Sequence, residues 1–171
     1  MTDEATIRGW LTGRVPPGWF TGPVEVSTDR DEVLVVGEIP TPALGEGVSE
    51  AEEAAACDGR IRQFREDTRA RRIEIARELE HRTGRRVSWG ARCGGMSALF
   101  TTASVPVMTR LRQPERVVLD TLVEAGVARS RSDALAWCVR LVGRNSEEWL
   151  GDLRDALSRV QDVRDRGPQG T

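Results

Sequence analysis

Val105-Pro-Val-Met-Thr-Arg-Leu-Arg112 runs directly into Gln113-Pro-Glu-Arg116, and Gly126-Val-Ala-Arg-Ser-Arg-Ser-Asp-Ala-Leu135 separates two helical stretches. In an extended chain side chains alternate, so Val107, Thr109 and Leu111 share one face and Met108, Arg110 and Arg112 the other. Pro114 suits the first position of a helix, where a missing N–H costs nothing. Val118, Leu119, Leu122 and Val123 form the apolar side of that helix, and Gly126 closes it. Ser130 followed by Asp133 signals the next helix start. Leu135, Cys138, Val139 and Val142 make its stripe, widened by Trp137 and Leu141, as in a deeply buried helix. Asn145 and Glu148 predict the cap of a third helix carrying Leu150, Leu153, Leu157 and Val160.

A lone strand before two short helices has an exposed edge and no layer to pack against. The pattern therefore predicts a homodimer, in which a second copy pairs its strand with this one into a two-stranded ribbon. The resulting ribbon presents Met108, Arg110 and Arg112 twice, and arginine can bind guanine O6 and N7 bidentately, so the expected partner is double-stranded DNA. The backbone N–H groups of Arg131 and Ser132 are unpaired donors at a helix start, where the helix dipole favours an anion.

In the order and spacing of these parts, residues 107–142 resemble the ribbon-helix-helix family of DNA-binding dimers. The resemblance implies a ribbon in the major groove, with Met108, Arg110 and Arg112 on base edges, and a DNA phosphate at Arg129, Ser130, Arg131 and Ser132. It implies a transcriptional regulator. Thr109 departs from the family pattern, which buries an aliphatic residue there, and Pro106 shortens the strand.

The rest of the chain reads as α+β, in the order α-β-β-α-β-β. A helix is expected over residues 3–12, with Ile7, Trp10 and Leu11 on one side and Gly13 as its stop. Val24–Ser27 and Val33–Ile39 read as strands joined by a hairpin turn at Thr28-Asp29-Arg30-Asp31. Pro40–Gly47 reads as a loop. Ser49 and Glu52 form a capping box. The helix it opens, about 50–83, has Gly59 as its expected interruption and Ile61, Phe64, Thr68, Ile75 and Leu79 toward a core. Val87–Trp89 and Ala98–Thr102 read as strands around a Gly90–Gly95 loop. The expected division is an accessory domain over 1–104, the dimerising module over 105–165 and a flexible tail over 166–171.

Of 171 residues, 25 are arginine and none is lysine. The net charge of −2 hides an asymmetry: residues 1–58 carry 12 acids and 3 arginines, residues 59–116 carry 14 arginines and 6 acids. The acidic segment is accordingly a candidate to fold over the basic one and compete with nucleic acid. No apolar run approaches the roughly 18 residues of a membrane helix, and no apolar leader is visible, so the expected location is cytoplasmic. Three scattered cysteines and one histidine predict free thiols and no metal site.

Arg62, Arg65, Arg69 and Arg72 recur at helical steps, so they are expected to line one face as an auxiliary surface for nucleic acid or as a solvated face. Asp67–Arg71 and Glu78–Arg82 are spaced for i,i+4 pairing. Cys93, beside Arg92 in a glycine-rich stretch, is a candidate nucleophile, though His81 is the only histidine and sits on the arginine-rich helix. Trp10, Trp19 and Trp89 are expected to pack the amino-terminal unit, and Trp137 and Trp149 the helical dimer. No phosphate-loop, dinucleotide or H-E-x-x-H signature is present, and the expectation is a non-enzyme without a cofactor. Two alternatives stand beside DNA binding. One is a protein-interaction module, antitoxin-like or a scaffold, with the amino-terminal unit holding a protein or ligand. The other is an RNA- or ribosome-associated protein using the arginine row.

Overall fold

The computed structural model describes residues 3–45 and 47–167. The chain divides into two compact units, Met1–Pro106 and Val107–Thr171. It is a mixed α+β protein, with six helices and one four-stranded sheet among the described residues.

In the first unit α1 (Glu4–Arg14) starts at Asp3, whose carboxylate accepts from the Thr6 N–H at 2.9 Å. It runs past Gly13 to Arg14, with Ile7 and Leu11 fully buried. Strands β1 (Glu25–Thr28) and β2 (Glu32–Glu38) pair antiparallel across the expected turn. The Asp29 carboxylate fastens that turn by accepting from the N–H groups of Asp31 and Glu32 at 2.8 and 2.7 Å. Helices α2 (Glu50–Asp67) and α3 (Arg69–Thr83) then cross over the sheet, so that β3 (Arg86–Cys93) lies parallel to β2. The hairpin to β4 (Met96–Leu99) completes the order β1-β2-β3-β4.

Both halves of the Ser49–Glu52 capping box are formed. Helix α2 passes through Gly59, and the break falls at Thr68 instead. A solvent-facing glycine costs helix stability without removing a hydrogen bond. Thr68 does more, because its hydroxyl donates back to the Phe64 carbonyl at 2.5 Å and competes with the backbone ladder.

The core gathers Ile7, Leu11, Val33, Val35, Ile61, Ile75, Leu79, Trp89 and their neighbours. Trp19, Phe20, Phe64 and Phe100 add an aromatic cluster, with Trp19 meeting Phe20, Phe64 and Trp89 edge-on. The acidic segment 1–58 supplies α1, β1, β2 and half of α2 to this core, so it is no detachable competitor for the basic region. Its acids meet basic partners within the unit, as in Arg92–Glu25 and Arg62–Asp58, and its Arg14 pairs with Glu78.

The second unit holds α4 (Gln113–Glu124), α5 (Arg131–Asn145) and α6 (Glu147–Arg166). Its small core is Leu119, Ala128 and Ala134, with Leu111, Leu122, Val123, Leu135 and Cys138 packed against it. Helix α6 starts at Ser146 with no side-chain cap, in place of the Asn145–Glu148 cap expected. It continues through Arg166, and of the expected tail residues 168–171 lie outside the described ones. No helix among the described residues is long and apolar enough to cross a membrane.

Candidate nucleic-acid interface

Residues 101–112 have no regular secondary structure, so the expected strand Val107–Arg112 is absent from the single chain. The physical reason is local: the second unit contains no other strand among its described residues, and an unpaired extended segment satisfies none of its backbone groups with a ladder. The alternation survives only in part. Leu111 packs against the small core, whereas Val107 is 85% exposed and Thr109 is also open to solvent. Met108 is 97% exposed, and Arg110 and Arg112 are exposed as well. Arg112 is also the N-cap residue of α4, and its carbonyl accepts from the Arg116 N–H at 3.1 Å.

Between the two helices Gly126 takes φ +73°, a left-handed conformation that a side chain resists. That conformation lets the N–H groups of Val127 and Ala128 reach back to the Leu122 carbonyl at 3.0 and 3.2 Å and drops Ala128 into the core. At the start of α5 the Ser130 hydroxyl accepts from the Asp133 N–H at 3.2 Å. The Asp133 carboxylate reaches the Arg129 N–H at 3.1 Å instead of the Ser130 N–H that a capping box would use. The first backbone bond of the helix runs from Ala134 N–H to the Ser130 carbonyl, which leaves the N–H groups of Arg131 and Ser132 ahead of the ladder.

The arginines beside this point are not equivalent. Arg131 grips Asp120 of α4 with two 2.6 Å hydrogen bonds, Nε to Oδ1 and Nη2 to Oδ2. Arg129 touches Asp133 only loosely, at 3.4 Å, and its side chain is otherwise open to solvent. Asp120 was invisible to sequence reasoning, since nothing local pairs residues eleven apart across a turn. The Arg131 guanidinium holds the Asp120 carboxyl below the usual aspartate range. A carboxyl lowered in the folded state contributes stability above its unfolded pKa and loses it as pH falls through the folded value. Asp120→Asn is therefore expected to melt below the parent near neutral pH and to match it once the solution is acid enough to protonate Asp120. Thermal melts of both proteins across that range check this, and a gap that persists in acid would exclude the ion pair as its cause.

Val117 and Val118 of α4, and Val139 and Val142 of α5, are exposed in the single chain. Val118, Val139 and Val142 were expected to face inward. Trp137 is half-buried and Trp149 exposed.

The arginine row on α2 and α3 does not hold as one face. Arg62 pairs with Asp58, and Arg65 and Arg69 are exposed. Arg72 is only 6% exposed: its Nε donates to the Thr68 hydroxyl, its Nη2 to the Arg65 carbonyl, and its guanidinium lies 4.6 Å from the centre of the Phe100 ring. Burial, then the neighbouring Arg65 and Arg69, pull its pKa down to about 10. Arg72 therefore holds together the break at Thr68 and is not available to a polyanion. The expected i,i+4 pairs are replaced too: Arg71 pairs with Glu74, Glu78 with Arg14, and Arg82 lies over the Trp10 ring.

Cys93 lies in β3, not in a loop, and is fully buried. Burial and its contact with Cys57 push the thiol up to about 11, and Arg92 is engaged by Glu25, so an activated thiolate is not formed there. A concavity of about 710 Å³ opens along β1, lined by residues including Arg8, Glu25, Leu34, Val36 and Arg92. Among the described residues no three His, Cys, Asp or Glu side chains gather where they could hold a metal ion.

Two family models match the chain: Rv1265-like protein, N-terminal domain, over residues 5–99, and Mb1296 C-terminal domain, over residues 112–164. The chain is 55% identical over 166 residues to the uncharacterized proteins Mb1296 of Mycobacterium bovis and Rv1265 of Mycobacterium tuberculosis. Each alignment covers 97% of this chain and 72% of the relative. No solved structure matches. Mycobacterial relatives imply a bacterial origin, and the identity and its extent over both units establish that the chain belongs to the Rv1265-like family, with the Mb1296-type carboxy-terminal domain.

Proposed function

We propose that the second unit is a ribbon-helix-helix module, that the protein is a homodimer bound to double-stranded DNA, and that it regulates transcription. The observation that carries this reading is the segment before Gln113. It displays Val107 and Met108 almost wholly to solvent, ahead of two helices that leave Val117, Val118, Val139 and Val142 uncovered. A second copy resolves both exposures at once, since its strand supplies the missing ladder and its helices the missing layer.

The electrostatics suit the same partner. Residues 107–146 carry seven arginines and four acids, and the dimer doubles that excess. Arg110 and Arg112 would stand on the ribbon beside base edges. The free N–H groups of Arg131 and Ser132 would meet a phosphate, with Arg129 near it and Arg131 keeping α5 registered on α4 through Asp120. The RNA-binding alternative is weakened by the loss of Arg72 from its row.

The test measures the mass of the free protein and its binding to duplex DNA over a series of salt concentrations. The expected result is a dimer whose log affinity falls linearly with log salt, by a slope of roughly −0.9 per neutralised phosphate. A monomer, or a dimer that leaves duplex DNA unshifted at low salt, would overturn the reading.

A further inference from the structure

Helix α6 carries an apolar surface that the proposed ribbon does not use. It has 20 residues and buries none of them. At about 100° per residue, Trp149, Leu150, Leu153, Ala156, Leu157, Val160 and Val163 fall within an arc of about 140°. Trp149 is 59% exposed and Leu157 67%, with Leu153, Val160 and Val163 similarly open. A row this long is more than a soluble monomer ordinarily leaves uncovered.

We infer that α6 is a second self-association surface, pairing antiparallel with α6 of another copy. Two features of the helix select a copy of itself as the occupant. The first is steric: the apolar residues are nearly palindromic about Asp155. Antiparallel pairing there sets Leu153 against the partner's Leu157 and Leu150 against the partner's Val160. On the flank Ala156 meets the partner's Ala156, small enough for close approach, and Trp149 covers the partner's Val163. The second is charge. The first turn holds Glu147 and Glu148, and the last holds Arg164 and Arg166. Asp165 of that last turn already accepts from the Gln161 amide. Antiparallel pairing joins acidic to basic ends twice, whereas parallel pairing stacks acid on acid. Arg154 faces the partner's Arg154 on the solvent side, where screening makes the repulsion small.

The inference rests on the second unit being free to self-associate, and it is separable from the ribbon. Thr109→Pro removes a ladder donor from a segment that has no regular structure in the single chain, so it disables ribbon pairing without unfolding the unit. In sedimentation equilibrium this variant is expected to remain a dimer through α6. Adding Leu153→Asp and Leu157→Asp, both at exposed positions, is expected to halve its mass. A monomeric Thr109→Pro variant would overturn the inference. A monomer produced by the two α6 substitutions alone would support it and remove the ribbon instead. Orientation is read by disulfide trapping in a Cys138→Ser background. A mixture of Trp149→Cys and Val163→Cys chains should cross-link to each other, whereas Trp149→Cys cross-linking to itself would exclude the antiparallel arrangement.

Discussion

Replacing Arg110 and Arg112 together by alanine is expected to weaken binding to duplex DNA by about a thousandfold, while the mass of the free protein stays unchanged. Both side chains are exposed, and neither has a hydrogen bond or ion pair among the described residues, so their removal leaves nothing unpaired inside the unit. A bidentate arginine–guanine contact discriminates by about 1–3 kcal/mol, and two-fold symmetry would present each arginine twice. Four contacts at about 1 kcal/mol each give about 4 kcal/mol, close to three powers of ten in affinity. The measurement is a shift assay at fixed salt, with sedimentation as the control for assembly. A loss below tenfold would remove the ribbon arginines from the interface.

The same variant separates two ways of using arginine. Where Arg110 and Arg112 read bases, the loss concentrates on preferred sequences and the salt slope changes little. Where they neutralise phosphates, affinity falls alike on every sequence, and the slope drops by about 0.9 for each lost contact. Mapping the protein across the genome supplies the preferred sequences: discrete peaks belong to base reading, and a diffuse distribution to phosphate binding.

Legibility from sequence followed the range of the interaction that decides each element. The Ser49 cap, the Asp29 turn, the Pro114 start and the Gly126 stop are settled within four residues, and each was readable. The helical core positions Ile61, Thr68, Ile75 and Leu79 followed from period alone. One error was local, and the others came where a distant partner decides. Gly59 looked like the breaker because its propensity is poor, yet Thr68 breaks the helix through a hydroxyl that also receives Arg72. The glycines and small residues of β3 looked like a loop, because nothing local shows that Gly90 lies beneath Leu99 of the neighbouring strand. At the candidate site the arginines were legible but their commitments were not: Asp120 fixes Arg131, and Phe100 with Thr68 withdraws Arg72. Segment 107–112 shows the opposite case. Its period-2 pattern is real, but a strand is a property of a pair, and one chain holds only half of the proposed pair.

Gly37→Ala is expected to destabilise the first unit by about 3 kcal/mol, the scale of a severe overpacking defect. Gly37 sits in β2, one strand in from the sheet edge, and the Phe20 ring lies flat where a side chain would begin, with Cγ, Cδ1 and Cε1 all in collision with an added Cβ. The strand cannot yield, because its neighbours are bonded on both sides. Phe20 must therefore swing away from Trp19 and Phe64, opening the aromatic cluster that closes this end of the core. For a unit of this size the expected fall in melting temperature is roughly 10–20 °C. The cause can be isolated, because the clash needs the ring. Phe20→Ala alone is destabilising through lost burial, yet adding Gly37→Ala to it should cost well under 1 kcal/mol, within the range of an ordinary glycine-to-alanine change. A double-mutant cycle by denaturant unfolding measures that coupling directly. If Gly37→Ala proved equally costly with and without the ring, the strain would lie in the β2 backbone, and the packing of Phe20 on Gly37 would not be what fixes the end of the core.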